Sequence, residues 1–155
     1  MGTLVRRFLV LAALMFWQGG FAFYGAVVIP VGRQEIGPLQ SRVTEPVTTW
    51  LNLAGLVALV PFAWDALRPD GSAPRRVVRR LAWLGLAATL AGLFVLHSLL
   101  TQELVSGTAP ADPRFRMLHR TYLWIGTGQW ACAMVYAGAS LAAWRAEDRQ
   151  QQVAG

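Results

Sequence analysis

Four long apolar stretches constrain the fold of this chain more than any other feature. They cover residues 8–32, 46–64, 81–102 and 121–144, and each contains 19 to 25 residues without a charged side chain. About 20 apolar residues cross the hydrocarbon core of a bilayer as a helix. Helices of soluble proteins show a polar face over such a length, and strands of membrane barrels alternate over shorter segments. The pattern therefore predicts an all-α fold, a four-helix transmembrane bundle.

The composition supports the same class of protein. Of the 155 residues, 55% are hydrophobic and 14% are charged, whereas a soluble domain of this size needs more charge to cover its surface. The length suits a single domain. We predict one membrane domain over residues 1–155, with spans at about 8–32, 46–66, 80–102 and 117–144. The first span is too long and too aromatic for a cleaved signal peptide.

The distribution of arginine predicts the orientation of the bundle. Nine arginines lie at the N-terminus, in the second loop and at the C-terminus, and five lie in the first and third loops. Because cytoplasmic loops are enriched in basic residues, we expect both termini to be cytoplasmic. The run "RRVVRR" provides the strongest cytoplasmic anchor, formed by Arg75, Arg76, Arg79 and Arg80. We interpret this run as a topology signal, and the alternative is that it binds acidic lipid headgroups.

The basic residues do not indicate nucleic-acid binding. All fourteen are arginine and the net charge is +6, but they flank apolar segments and form no basic stripe on a soluble fold. We expect the lipid bilayer as the main partner, with a second copy or another membrane protein as a further one. The lack of lysine and of sorting signals favours a bacterial inner (cytoplasmic) membrane. The single cysteine, Cys132, excludes an internal disulfide and is interpreted as a packing residue.

Five of the seven tryptophans predict the ends of the spans. Trp64, Trp83 and Trp144 fall at the cytoplasmic ends, and Trp50 and Trp124 fall near the outer ends. This is the placement of an aromatic belt at the headgroup level. Trp17 and Trp130 fit no belt, so we expect them inside the bundle or against lipid.

Two short motifs predict helix starts. Thr44 with Pro46 indicates the start of the second helix, and Asp112 followed by Pro113 indicates the start of the fourth. An Asp at the cap accepts hydrogen bonds from free backbone N–H groups, and proline at the first helical position loses no bond.

Stripes of small residues predict close helix packing. The third span has such a stripe at Gly85, Ala88, Thr89 and Gly92, and the fourth has small residues at a spacing of four. Small side chains let helix backbones approach closely in lipid, within one bundle or between two copies.

Polar side chains inside the spans are the first candidates for a functional site. Gln18 and Gln129 lie near the middle of the first and fourth spans, at similar depth because these helices run in opposite directions. An amide in hydrocarbon needs a hydrogen-bond partner. We hypothesise that the two amides bond to each other or to a shared water, and separate bonds to neighbouring carbonyls are the alternative. Tyr122, seven residues before Gln129, continues this polar line toward the outer end.

A second candidate cluster, at the outer interface, consists of His97, Arg116, His119 and Arg120. Two imidazoles can bind a metal ion or haem iron. A structural zinc ion needs four protein ligands, and we expect the two histidines at different depths, which does not suit a haem between them. We therefore expect no cofactor, and keep haem or metal binding through His97 and His119 as the alternative.

Two segments resemble a known family. The first is "FAFYGAVVIPVGRQEIGPLQSRVTEPV", residues 21–47, with Gly37, Gln40 and Ser41, and the second is "FRMLHR", residues 115–120, with Phe115 and His119. Together they resemble a group of small four-span membrane proteins of unassigned function, which includes bacterial relatives of eukaryotic transmembrane protein 205. Where that group often has Ser and Asn after the histidine, this chain has larger side chains. The resemblance implies a four-span fold and a membrane location.

Motifs of catalysis are missing from the sequence. It contains no HExxH motif, no phosphate-binding glycine loop, and no Ser-His-Asp set or pair of carboxylates within a span. We predict a polytopic integral membrane protein without a catalytic site, either a partner-binding subunit or a component that handles a small solute. The alternatives are a haem or metal protein, and a binder or enzyme of lipid headgroups at the outer interface.

Overall fold

A computed structural model describes residues 2–69, 73–105 and 112–154, and these residues are almost entirely helical, without a strand. The helices are α1 (Gly2–Phe23), α2 (Ile29–Ile36), α3 (Gln40–Ala66), α4 (Ala73–Val105) and α5 (Pro113–Ala154). A π-helical turn over Tyr24–Val28 joins α1 to α2, and a 3₁₀ turn over Gly37–Leu39 joins α2 to α3. The predicted all-α class is confirmed for the described residues.

The helices pack in a sequential order. α3 packs against α1 on one side and α4 on the other, the α4–α5 interface is the most extensive, and the contact between α1 and α5 is small. Arg6 and Arg7 of α1 form ion pairs with Glu147 and Asp148 of α5. The start of α1 and the last third of α5 therefore lie at the same end of the bundle. We call this the Asp65 end, and the opposite end, which contains His97 and His119, the histidine end.

Within the described parts of the chain, three helices are long and apolar enough to cross a membrane. They are Gly2–Ile36, Arg42–Ala66 and Ala73–Leu104, and they indicate an integral membrane protein. The helix α5 is longer than any of them, but its charge-free part is less apolar because it contains Tyr122, Gln129 and three glycines. Apolarity thus distinguishes α5 from the other three long helices.

The first candidate span is longer than the predicted 8–32 and consists of α1, the π-helical turn and α2. It begins at Gly2, continues through Pro30 to Ile36, and widens into a π-helical turn just before the proline. A proline ring clashes with the carbonyl four residues earlier and has no N–H for it. A wider turn relieves such a clash. The same turn directs Tyr24 into the bundle, where it is buried.

The predicted start of the second long helix at Thr44 and Pro46 is wrong. The helix α3 begins at Gln40 and contains Pro46 in its second turn. Gly37 is the one described residue with a positive φ; its φ is 53° and it makes the turn out of α2. Because this turn is complete by Leu39, the next helix starts earlier than the proline alone suggests. The Thr44 hydroxyl donates to the Gln40 carbonyl inside α3.

The start of α5 is as predicted. The helix begins at Pro113, and the Asp112 carboxylate accepts a hydrogen bond from the Arg114 backbone N–H at 2.7 Å. This is the capping bond that an Asp before a helix supplies.

A layer of aromatic rings fills the middle of the bundle. The ring centroids of Trp17 and Phe62 are 6.2 Å apart, and those of Phe62 and Tyr136 are 5.0 Å apart. All three side chains are fully buried. Gly55 makes room for this aromatic layer, since a methyl group there would lie 2.6 Å from the Trp17 ring. The layer separates two polar regions of the interior.

Small residues of α4 face α5, as the glycine stripe predicts. A methyl group on Gly85 would lie 2.8 Å from the Cys132 sulfur, and one on Gly92 would contact Ile125. These two pairs fix how the antiparallel helices α4 and α5 are aligned.

Candidate functional site

The polar region at the Asp65 end is centred on one buried carboxylate. Asp65 Oδ1 accepts a hydrogen bond from Trp144 Nε1 at 2.9 Å, and Oδ2 accepts from Ser140 Oγ at 3.0 Å and from the Tyr136 hydroxyl at 3.2 Å. The Asp65 side chain is fully buried. Each carboxylate oxygen thus has at least one donor on α5.

Two buried arginines flank this carboxylate. Arg6 Nε lies 3.5 Å from Oδ1 of Asp65, and Arg79 Nη1 lies 3.6 Å from Oδ2. Arg6 also contacts Glu147 at 2.7 Å, and Arg79 donates to the Arg68 carbonyl at 3.1 Å. Asp65 lies on α3, so its partners tie α3 to α1, α4 and α5. We call this group the Asp65 cluster.

Arg79 of the predicted cytoplasmic anchor belongs to the Asp65 cluster. Its side chain is fully buried. The reason is the buried carboxylate on the neighbouring helix, which compensates its charge. The other three anchor arginines lie nearer the surface, where Arg75 and Arg80 donate to helix carbonyls.

The tryptophans divide into belt and core. Trp50 and Trp124 are 72% and 68% exposed, which suits an outer belt. Trp144 was expected in the inner belt and is instead buried against Asp65, because its indole N–H finds an acceptor there. Trp17 is in the core, and Trp130 is half exposed.

Nothing in the sequence interpretation singled out Asp65. A usable signal existed, because Asp65 is an acid that directly follows a charge-free stretch of 19 residues. Such a carboxylate at the edge of hydrocarbon needs a basic partner. The identity of the partners depends on how four helices are aligned, which the spacing along one chain does not give.

The second polar region is a cavity of about 800 Å³ at the histidine end. Residues of α1, α2, α3, α4 and α5 line it, together with the π-helical turn. Its wall is mainly apolar, with Phe21, Leu123 and Trp130 among the larger side chains. The polar side chains in this wall are Gln18, Tyr24, Arg33, Gln40, Thr44, Glu45, Thr48, His97, Thr101, His119, Tyr122, Thr127 and Gln129.

Several polar atoms around the cavity are buried without a hydrogen-bond partner in the described part of the chain. They are Gln18 Nε2, Gln129 Oε1, both polar atoms of the Gln40 side chain, and the hydroxyl of Tyr24. A buried polar atom without a partner costs about 1–3 kcal/mol. The cavity therefore presents unused donors and acceptors.

The candidate pair Gln18 and Gln129 lies in the interior of the bundle. Both side chains are buried and both line the cavity. The hydrogen bonds of the described residues include none between the two amides, and each amide keeps one atom without a partner. The geometry thus places the pair on a shared cavity. Whether a water joins them stays a prediction. Tyr122 lines the same cavity closer to the histidine end.

The two histidines also line the cavity, and the alignment of α4 and α5 bears on their depths. The α4–α5 alignment pairs Gly85 with Cys132 and Gly92 with Ile125. Five residues beyond Gly92, the same alignment brings His97 level with position 120, one residue from His119. The ends of the spans do not give this alignment, because α4 and α5 extend beyond their charge-free stretches by different lengths.

The two imidazoles have different surroundings. His97 Nε2 lies 2.9 Å from the Thr49 hydroxyl of α3. The His119 ring stacks on Phe115 with an interplanar angle of 5°. Of the predicted interface cluster, His97 and His119 share the cavity, whereas Arg116 and Arg120 are exposed and lie outside its lining. Across the residues that the structure describes, no group of three His, Cys, Asp or Glu side chains could hold a metal ion.

The cavity opens between α1 and α5. These two helices make only a small contact, although Ala22 and Gly25 on one side and Leu123, Thr127 and Trp130 on the other line the same space. All five of these residues are exposed. Four further lining residues at the histidine end, Arg33, Glu45, Leu104 and His119, are also exposed, so the cavity is open both between α1 and α5 and at that end of the bundle.

The fold and this cavity define a class: a helical protein whose described residues include three helices apolar enough to cross a membrane, with a cavity whose mainly apolar wall carries several polar side chains. No protein-family model, no curated protein and no solved structure matches the chain. The resemblance to the four-span group therefore stays a prediction.

Proposed function

We propose that this chain is a four-span protein of a bacterial inner membrane, with both termini in the cytoplasm, that binds a neutral, lipid-soluble small molecule in the cavity. It would act as a small-solute handling component without catalysis of its own. The observation that carries the proposal is the set of buried polar atoms without partners on an otherwise apolar wall. Pockets for small molecules combine an apolar lining with a few such groups.

The ligand class follows from the chemistry at the inner part of the cavity. Gln18, Tyr24, Tyr122 and Gln129 offer amide and hydroxyl groups, which both donate and accept hydrogen bonds. The cavity's charged side chains, Arg33 and Glu45, belong to the segments beside the α2–α3 turn, away from these amides. Carbonyl or hydroxyl groups on an apolar body match this arrangement. The opening between α1 and α5 favours entry from the lipid phase.

The four-span topology rests on two observations. The arginines are in excess at the termini and the second loop, which favours a cytoplasmic location for these segments. The ion pairs of Arg6 and Arg7 with Glu147 and Asp148 join the two chain ends at one end of the bundle, which suits an even number of spans. The relation to the four-span group of transmembrane protein 205 is part of the same proposal.

The ligand is tested by identifying what co-purifies with the protein. The wild-type chain, Gln129→Leu and Gln34→Leu are purified in mild detergent, and small molecules are extracted and quantified by mass spectrometry. Gln34 is an exposed glutamine outside the cavity lining and serves as the matched control. We expect a neutral molecule in the wild type and in Gln34→Leu, reduced about tenfold in Gln129→Leu, since one hydrogen bond is worth about 1.4 kcal/mol. Equal amounts in all three proteins would contradict the proposal.

The topology is tested by cysteine labelling from the periplasmic side. Single cysteines replace Ser72 and Pro110 in a chain that carries Cys132→Ser. Both positions lie outside the described residues. We expect a membrane-impermeant reagent to label position 110 in intact cells and to label position 72 only after lysis. The reverse pattern would overturn the orientation.

A second candidate function is haem or metal binding through His97 and His119. It is favoured by the shared level of the two histidines on neighbouring helices and by their common cavity. Imidazole nitrogens are ordinary ligands of haem iron, zinc and copper. An absorption spectrum of the purified protein in the Soret region, with metal analysis, tests it. A signal that disappears in both His97→Ala and His119→Ala would favour this function over the neutral ligand.

A further inference from the structure

A second pocket lies on the surface at the Asp65 end, between α4 and α5. It has a volume of about 370 Å³ and is lined by Arg75 of α4 and by Ala142, Arg145, Ala146 and Arg149 of α5. Positions 142, 145, 146 and 149 share one face of an α-helix. Three guanidinium groups thus converge on one small space.

The end of α5 separates its charges onto two faces. Glu147 and Asp148 point toward α1, where they pair with Arg6 and Arg7. The arginines of the pocket lie on the face toward α4. The acids near the pocket in sequence are therefore already paired elsewhere, and none of the described residues that line it is acidic.

Arg75 makes one long hydrogen bond to α5 beside this pocket. Its Nη1 donates to the Ala142 carbonyl at 3.4 Å. Its Nε is buried and has no hydrogen-bond partner among the described residues. Like charges that line one pocket repel each other, and an anion between them reduces that repulsion. The pocket offers several N–H donors and a positive field to such an anion.

We propose that this pocket binds a phosphate group, and specifically that of an anionic phospholipid. Guanidinium groups bind phosphate oxygens through paired hydrogen bonds. The pocket lies where the predicted fourth span ends, near position 144, so it is level with lipid headgroups. Basic pockets between helices on the cytoplasmic side of membrane proteins bind such headgroups. The two alanines leave room beside the phosphate for the glycerol part of the lipid.

The test uses the full-length protein after removal of bound lipid by detergent exchange. Binding of phosphatidylglycerol, phosphatidylcholine and inorganic phosphate is measured by native mass spectrometry. The test variant is Arg145→Gln with Arg149→Gln. The matched control is Arg116→Gln with Arg120→Gln, which removes the same charge at the same spacing from exposed positions of the same helix. The double substitution Arg145→Lys with Arg149→Lys is a third variant, and it keeps the charge.

We expect the wild type and the control to bind phosphatidylglycerol at least tenfold more tightly than phosphatidylcholine. The glutamine variant should lose this preference, and the lysine variant should keep part of it. Equal loss in the control variant, or no loss in the test variant, overturns the proposal. Displacement of the lipid by millimolar phosphate overturns the lipid assignment in favour of free phosphate. The Gln129→Leu variant should bind phosphatidylglycerol as the wild type does, so that this site and the cavity are judged separately.

Discussion

The two polar regions of the interior lie on opposite sides of one aromatic layer and differ in how their polar groups are satisfied. At the Asp65 end, both carboxylate oxygens of Asp65 accept hydrogen bonds from α5, and two arginines balance the charge, although Arg6 Nη1 is buried without a hydrogen-bond partner among the described residues. At the histidine end, the amides of Gln18 and Gln129 and the hydroxyl of Tyr24 have atoms without partners among the described residues. The side chains named here are buried in both regions, so the difference between the regions is not one of burial.

This difference separates a structural region from a binding region. Burial of polar groups costs free energy, and partners within the chain offset that cost at the Asp65 end. In the unbound chain this cost is not offset at the cavity, because the hydrogen-bond partners of its polar atoms must come from another molecule. We therefore expect mutations at the two ends to change stability with opposite sign.

The largest effect is expected for Asp65→Asn. The substitution keeps the size of the side chain but leaves the buried guanidinium groups of Arg6 and Arg79 without their shared carboxylate. Breaking a buried ion pair from one side costs about 3–5 kcal/mol. The measurement is thermal unfolding of the purified protein in detergent. Asp148→Asn is the control, since this exposed acid pairs with Arg7 alone among the described residues, and its unfolding temperature should stay close to that of the wild type. Similar losses in both variants would remove the distinction between cluster and surface.

The next effect concerns the aromatic layer that divides the regions. Gly55→Ala places a methyl group 2.6 Å from the Trp17 ring, and overpacking of this kind costs about 1–3 kcal/mol. Gly19→Ala is the control, because a methyl group there meets no atom within 4 Å and alanine favours the helix by about 1 kcal/mol. The two unfolding temperatures should move in opposite directions. A stabilised Gly55→Ala protein would show that the layer is loosely packed.

Sequence patterns predict the helices well because each depends on neighbouring residues. The charge-free stretches give the all-α class, and Asp112 with Pro113 gives the start of α5 to the residue. The π-helical turn and the early start of α3 depend on how the chain resolves a proline clash and a glycine turn. A proline marks such positions in the sequence, but it does not distinguish a π-helical turn before it from a helix that continues through it.

The site depends on contacts between helices, which spacing along the chain does not determine. Gln18 and Gln129 could be selected because an amide in an apolar stretch is conspicuous by itself. Asp65 and Arg79 each look like ordinary ends of apolar stretches, and only the packing of α3 against α4 brings them together. The common level of His97 and His119 likewise follows from the α4–α5 alignment.

A gain of stability is expected in the cavity. Gln129→Leu replaces an amide oxygen that has no partner among the described residues with an apolar group of similar size. Removing an unsatisfied buried polar atom recovers about 1 kcal/mol or more. Unfolding of the ligand-free protein should therefore shift to higher temperature by a few degrees. Gln34→Leu at an exposed position serves as the control. A clear loss of stability in Gln129→Leu would mean that this amide has a structural partner, and the contrast with the Asp65 end would fail.

The smallest effect is a pH dependence of the contact between α1 and α5. Partial burial acts to raise the pKa of Glu147, but hydrogen bonds from Arg6 and Arg7 and their positive charges outweigh it, so the pKa lies below its ordinary value of 4.5. A carboxyl whose pKa is lowered by folding stabilises the fold above the ordinary pKa, and this stabilisation is lost as the pH falls through the lowered one. The unfolding temperature should therefore decline below about pH 4.5, by about 1–3 °C from this group. Glu147→Gln should start from a lower value and decline less over the same range. An identical decline in both proteins would assign the acid sensitivity to other carboxyls. The ion pairs of Glu147 would then contribute nothing measurable to the stability of the α1–α5 contact.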